Sequence, residues 1–295
     1  MSDLANFGDS VHWGQGHREA DKFACRVASS LGLQLRMQAH SGATIGVGVT
    51  CTSGAHPEVP LACPTILDQV KNYPHDPSTA SLVLLTGGIN DVTVQRLITP
   101  TTTPDTVRRV TRRYCYDDMV VLLKATAEKF VQSQTRVLVS SYFPVFSKES
   151  DFRKIADYLT GNLIVVPHEA EGERAAERVA ILERIIDNCQ AFWTESTKAL
   201  HDAVRALSSA RVQFVDVPFG DENAMFADAP WLFEVRLEGI ELIPEDPLAT
   251  ERRAACKDFH TLPWDRRACY IASVGHPNLA GSAEYTRAML SAVRG

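Results

Sequence analysis

The stretch Ser81-Leu82-Val83-Leu84-Leu85 runs directly into Thr86-Gly87-Gly88-Ile89-Asn90-Asp91, and its reading decides the fold class. Four consecutive apolar residues without polar alternation describe a strand covered on both faces, as in parallel sheets sandwiched between helices. The abrupt change to glycine, amide and carboxylate marks where that strand gives way to a loop. Outward from it the pattern repeats. Leu33 to Ala39, Arg136 to Tyr142 and Arg211 to Val217 read as further strands, and a shorter one fits Leu4 to Phe7. Amphipathic stretches between them predict helices over Arg18 to Leu31, Thr65 to Asn72, Asp117 to Gln132, about Glu171 to Leu207, and Leu279 to Val293. The long one carries an apolar stripe at Val179, Leu182, Ile185, Ile186 and Cys189. Strand and helix alternating in this way predict an α/β fold whose parallel sheet is covered on both faces.

The chain has 295 residues, enough for one large core. No repeat, low-complexity segment or charge block marks a boundary, so residues 1–295 are expected to form one domain, with loop insertions near 99–104, 146–167 and 219–267. Thirty basic against thirty-six acidic residues leave a net charge of −6, with no basic surplus to offset a phosphate backbone, which argues against nucleic acid as a partner. The longest apolar runs, Met119 to Leu123 and Leu82 to Leu85, fall far short of a membrane span. Met1 to Phe7 lacks the basic and apolar regions of a secretory signal, so the expectation is a cytoplasmic chain. Cysteines at 25, 51, 63, 115, 189, 256 and 269 form no C-x-x-C pair. Cys51/Cys63 and Cys256/Cys269 each bracket a loop-like stretch and would suit disulfides in a secreted chain; in a reducing compartment buried thiols are expected instead.

Ligands of open α/β sheets bind beyond the carboxyl ends of the strands. Here those ends are Gly8-Asp9-Ser10, His40-Ser41-Gly42 and Gly87-Gly88-Ile89-Asn90-Asp91. A serine directly after the first strand sits where a helix begins, and there free N–H groups and the helix dipole favour developing negative charge. Such a serine also suits a helix cap. Acyl transfer from a serine requires donors aimed at the carbonyl oxygen as it becomes an oxyanion. Gly42, lacking a side chain, can bring its backbone N–H there, and Asn90 can add an amide N–H, although an asparagine at a turn also closes Asx turns. The base best placed to accept the serine proton is His276, in Gly275-His276-Pro277-Asn278, just before the last helix. No G-x-S-x-G elbow, complete dinucleotide fingerprint or zincin spacing occurs, and neither a metal nor a cofactor is signalled.

Taken in order, Gly8-Asp9-Ser10, Gly42, Gly88-Ile89-Asn90-Asp91 and His276-Pro277-Asn278 resemble the four blocks of the SGNH (GDSL-type) esterase and lipase family. The resemblance spans residues 8 to 278, nearly the whole chain. It implies a three-layer α/β/α, flavodoxin-like fold with a five-stranded parallel sheet. It also implies Ser10 as nucleophile, His276 as general base, and an oxyanion hole made by Ser10, Gly42 and Asn90. Asp9 and Asp91 would support the site rather than react.

The family's usual aspartate three residues before the histidine is absent, because Ser273 stands there. Three readings follow. A backbone carbonyl, that of Ser273 or Val274, accepts Nδ1–H; a distant carboxylate, Asp258 or Asp265, reaches the ring; or the site is silent. The carbonyl of Ser273 is the expected partner, since an acceptor there still selects the tautomer with Nε2 unprotonated. Between Phe219 and Trp264, apolar residues including Phe226 and Trp231 are expected either to line the substrate or to form a satellite core. The functional expectation is hydrolysis of a small-molecule carboxylic ester through an acyl-enzyme on Ser10. Acyl transfer with the same residues and a non-catalytic binding protein are the alternatives. The sequence carries no signal for oligomeric state.

Overall fold

The computed structural model of the protein describes residues 2–49, 56–132, 134–164, 166, 173–239 and 241–295. Its centre is a parallel sheet of β1 (Asp3–Phe7), β2 (Gln34–Met37), β3 (Ala80–Leu85), β4 (Arg136–Ser140) and β5 (Val212–Val215). The order is β2-β1-β3-β4-β5, the flavodoxin-like doubly wound arrangement. β1 is buried along its whole length and β3 everywhere but Ser81, which explains why neither alternates in polarity.

Twelve helices connect and cover the described strands. α1 (Ser10–Trp13) and α2 (Phe23–Leu31) follow β1, and α3 (Ile66–Lys71) follows β2. α4 (Ile89–Val92), α5 (Val94–Ile98), α6 (Pro104–Arg112) and α7 (Met119–Lys129) lie between β3 and β4, with a wider-wound turn over Arg113–Asp118 joining the last two. α8 (Phe152–Gly161) and α9 (Glu173–Ala206) precede β5. A hairpin of β6 (Val235–Glu238) and β7 (Glu241–Pro244) then leads to α10 (Ala249–Phe259), α11 (Pro263–Tyr270) and α12 (Leu279–Arg294). α2 and α12 pack together on one face of the sheet; α3, α7 and α9 pack on the other, completing three layers. Among the described residues, no helix is long and apolar enough to cross a membrane.

The expected loop insertions contain regular structure. α8 starts at Asp151, whose side chain accepts from the N–H groups of Arg153 and Lys154, and it buries Ile155, Tyr158 and Leu159. The hairpin and α10–α11 occupy 235–270, built from elements too short to show a periodic pattern. Two cysteines expected as thiols, Cys256 on α10 and Cys269 on α11, are joined in a disulfide with Cα atoms 5.8 Å apart. Contact between these two short helices brings together the pair that their spacing marks as a candidate disulfide. Cys115 and Cys189 are buried thiols and Cys25 is partly exposed; Cys51 lies outside the described residues.

Replacing Cys256 and Cys269 together by serine is expected to lower unfolding free energy by about 3 kcal/mol, the loop-closure contribution of a bridge this short. Chemical denaturation of the two forms checks the value.

Candidate active site

Three strand ends meet at one edge of the sheet. β1 lies between β2 and β3, with Asn6 level with Met37 on one side and Phe7 level with Leu85 on the other. The chain therefore leaves β1, β2 and β3 at the same height. The β1/β3 boundary is also where the strand order reverses, the crevice in which doubly wound sheets hold ligands.

After β1 the backbone turns at Gly8, whose φ of +150° and close approach to His12 (a Cβ would stand 2.8 Å from His12 Cβ) leave no room for a side chain. Asp9 caps α1 through Oδ1, which accepts the Val11 N–H at 2.9 Å. Its Oδ2 accepts the Tyr142 hydroxyl at 2.6 Å, and that hydroxyl oxygen accepts the Ile89 N–H at 3.3 Å. Tyr142 thereby ties the turn after β1 to the turn after β3. Burial pushes the Asp9 pKa up to about 6 against these hydrogen bonds. Capping by Asp9 frees Ser10, the first residue of α1, from that duty.

Gly42 has φ +81°, and a Cβ there would lie 2.4 Å from the Leu61 nitrogen, so the loop after β2 requires glycine. Segment 57–61 backs this loop through Ser41 N–H to the Pro57 carbonyl and Leu61 N–H to the Ser41 carbonyl, both 3.0 Å. The Asn90 amide donates one proton to the Ala43 carbonyl at 2.9 Å, which aligns the group beside Gly42 and leaves the other proton of Nδ2 to point elsewhere. Asp91 holds the same loop by accepting the Ile45 N–H at 3.0 Å; burial raises its pKa to about 6.

His276 arrives from the far end of the chain. Its Nε2 lies 2.6 Å from Ser10 Oγ, across 266 residues of sequence. The histidine turn is pinned by the segment 230–233. Phe233 N–H donates to the His276 carbonyl at 2.7 Å, Gly275 N–H to the Phe233 carbonyl at 2.9 Å, and the Asn278 amide to the carbonyls of Pro230 and Leu232 at 2.9 and 3.1 Å. His17 adds a ring contact to the Pro277 carbonyl at 2.9 Å. The Ser273 carbonyl accepts the backbone N–H of His276 at 3.0 Å. That carbonyl and the Val274 carbonyl raise the ring's proton affinity, but Nδ1 is buried with no hydrogen-bond partner among the described residues, so the expected bond from Nδ1–H to the Ser273 carbonyl is not formed. Desolvation outweighs that pull and lowers the His276 pKa to about 4.

Asp258 and Asp265 are exposed on α10 and α11, away from the ring. Phe226 and Trp231 also stand apart from the cavity at the site. Phe226 is buried against Phe146 at 6.0 Å, and Trp231 packs edge-on to Phe219 at 5.2 Å. What borders His276 is a cavity of about 40 Å³ walled by Val11, Ile89, Tyr142, Phe192, Met225 and Val274. The long helix thus contributes Phe192, and a neighbour of the expected Phe226 takes the wall position. Among the described residues, no group of three or more His, Cys, Asp or Glu side chains is placed to hold a metal ion.

No family model and no curated protein matches the chain. Solved structures do show likeness. A lipase from a goat rumen metagenome aligns at 12% identity and TM-score 0.49, covering 100% of this chain and 99% of that one. The M. smegmatis aryl esterase aligns at 14% and 0.46, covering 100% and 99%. A family two carbohydrate esterase from Clostridium thermocellum aligns at 12% and 0.45, covering 99% and 63%. The chain spans about 60% of the length of the carbohydrate esterases it is similar to.

A lowered pKa means that His276 stays neutral well below the ordinary histidine value of about 6.5. Imidazole NMR is expected to show it unprotonated at pH 5.5 and titrating near 4. The unfolded chain binds a proton in that window and the folded chain does not, so this residue favours unfolding as pH falls through it.

Proposed function

We propose that the protein hydrolyses small carboxylic esters, with Ser10 carrying the acyl group. The observation that carries this reading is the 2.6 Å contact between His276 Nε2 and Ser10 Oγ, at the edge where Gly42 and the Asn90 amide converge. A serine hydroxyl is a weak nucleophile until a base within hydrogen-bond reach takes its proton, and a neutral imidazole at pH 7 is ready to do so.

In this reading Ser10 Oγ attacks the carbonyl carbon while its proton moves to His276 Nε2. The new C–O bond displaces the carbonyl π pair onto oxygen. That oxyanion is met by the N–H groups of Ser10 and Gly42 and by the remaining Asn90 proton. On collapse the pair returns, the ester C–O bond breaks, and the departing alkoxide takes the proton from Nε2. Water repeats the sequence on the acyl-enzyme, giving the free acid and restoring both residues. Asp9 and Asp91 hold the loops and exchange no proton. No cofactor enters this chemistry.

The cavity beside His276 supports a short acyl chain. Its accessible space is only about 40 Å³ and most of its wall is apolar, which suits a small acyl group. Each methylene beyond the space available costs about 1–3 kcal/mol of discrimination.

Intact-mass analysis after exposure to a fluorophosphonate is expected to show one adduct per chain, absent from Ser10→Ala. An unlabelled, folded wild type would instead indicate a binding protein. On a p-nitrophenyl ester series, kcat/KM for acetate is expected to exceed that for octanoate by at least about ten-fold. Asn90→Ala is expected to lower kcat by about 10²-fold, as for loss of one oxyanion donor.

A further inference from the structure

Ser273 belongs to a buried ionic cluster that the reaction above leaves unused. Arg252, on α10, is wholly buried. Its Nη1 and Nη2 face the two oxygens of Asp246 at 3.1 and 2.5 Å, its Nη2 donates to Ser273 Oγ at 2.9 Å, and its Nε donates to the Tyr270 carbonyl at 3.2 Å. Ser273 Oγ–H in turn donates to Asp246 Oδ2 at 2.6 Å. Asp246 also accepts the Leu248 N–H at 3.0 Å, so its carboxylate is fully engaged.

The cluster extends to the opposite side of the site. Arg252 Nη1 lies 3.4 Å from Glu58 Oε2, and Glu58 accepts from Trp13 Nε1 at 2.7 Å and Gln15 Nε2 at 3.1 Å, both just beyond Ser10. Glu58 sits in the segment that backs Gly42. One arginine and two carboxylates therefore touch the segments that carry the nucleophile, an oxyanion donor and the base. A buried arginine without such partners would not be tolerated.

An imidazole acting as base requires an acceptor toward Nδ1 and negative charge to offset the imidazolium. The carbonyl of Ser273 raises the ring's proton affinity, and the hydroxyl of the same residue is held by Asp246. We propose that Asp246, acting through Ser273, is the positioning carboxylate for His276, with Arg252 as the clamp that fixes it. This rests on the Ser10–His276 reading. Glu58 is committed to Trp13 and Gln15, and the two aspartates of α10 and α11 face outward, so Asp246 is the carboxylate whose geometry reaches the histidine turn. Arg252 and Asp246 act on the ring with opposite sign. Neutralising Asp246 leaves the cation opposed by Glu58 alone, at 3.4 Å, and disfavours the imidazolium on which proton transfer depends. The other titratable groups around the turn are Tyr142 and Tyr158, whose phenols burial holds protonated, and His17 at Pro277.

The test is Asp246→Asn, which keeps shape and removes charge, assayed across pH on p-nitrophenyl acetate. Expected are a fall in kcat of about 10²-fold, smaller than the roughly 10⁴ of a directly bonded triad carboxylate, KM within two-fold, and an acid limb displaced below that of wild type. A folded variant with wild-type kcat and acid limb overturns the proposal, as does a change confined to KM. If Asp246→Asn does not fold, Ser273→Ala decides: it leaves the Asp246–Arg252 pair intact and is expected to lower kcat about ten-fold, with Ser273→Thr, which keeps the hydroxyl, restoring most of it. Wild-type kcat in Ser273→Ala overturns the proposal. Failure of fluorophosphonate to label wild type removes both the serine-hydrolase reading and this one; labelled wild type with an indifferent Asp246→Asn removes this one alone.

Discussion

Everything at the site depends on β1 pairing in parallel with β2 on one side and β3 on the other. Because the register sets Phe7 level with Leu85 and Asn6 level with Met37, three unconnected loops start from one line. Hydrogen bonds between loops then take over: Tyr142 joins the first to the third, and Asn90 joins the third to the second. None of these bonds spans more than a few ångströms, so a one-residue slip in the sheet would break them all and turn each strand's side chains to the opposite face.

One physical cause acts on the ionisable groups around this edge in opposite directions. Removal from water disfavours charge, so the carboxyls of Asp9 and Asp91 rise toward 6 while the imidazole of His276 falls toward 4. The hydrogen bonds offered to each group keep those shifts from growing. Arg252 lies in the interior with two carboxylates, a carbonyl and a hydroxyl sharing its five donors. That arrangement costs desolvation energy, and its return is the fixed relation among segments lying far apart in sequence.

Much of this was legible in the order of residues. Continuous apolar runs mark strands buried on both faces, and each was followed by residues that only a loop at a ligand edge would favour. Ser10, Gly42, Asn90 and His276 could be singled out because each stands near the border of a recognisable element. Asp246 could not. It follows a four-residue strand with no periodic signal, and it meets Ser273 across 27 residues through a fold-back of two short helices. Proximity in sequence instead favoured Asp258 and Asp265, which the helices α10 and α11 turn to solvent. Phe226 and Trp231 were ambiguous for a related reason. Of the two readings open for large aromatics in loop-like sequence, substrate lining and satellite core, the packing of these rings against Phe146 and Phe219 fits the second. Cavity walls drawn from separate elements leave no contiguous motif to find.

That dispersal of the cavity wall has an evolutionary consequence. Val11, Ile89, Tyr142, Phe192, Met225 and Val274 belong to six different stretches of chain. Phe192, for instance, projects from a helix that does not carry Ser10, Gly42, Asn90 or His276. At Phe192 and Met225, selection can therefore reshape the space one residue at a time without rewriting the loops that carry the serine and the histidine. Changes of substrate range and preservation of the reacting geometry are separable here at the level of single codons.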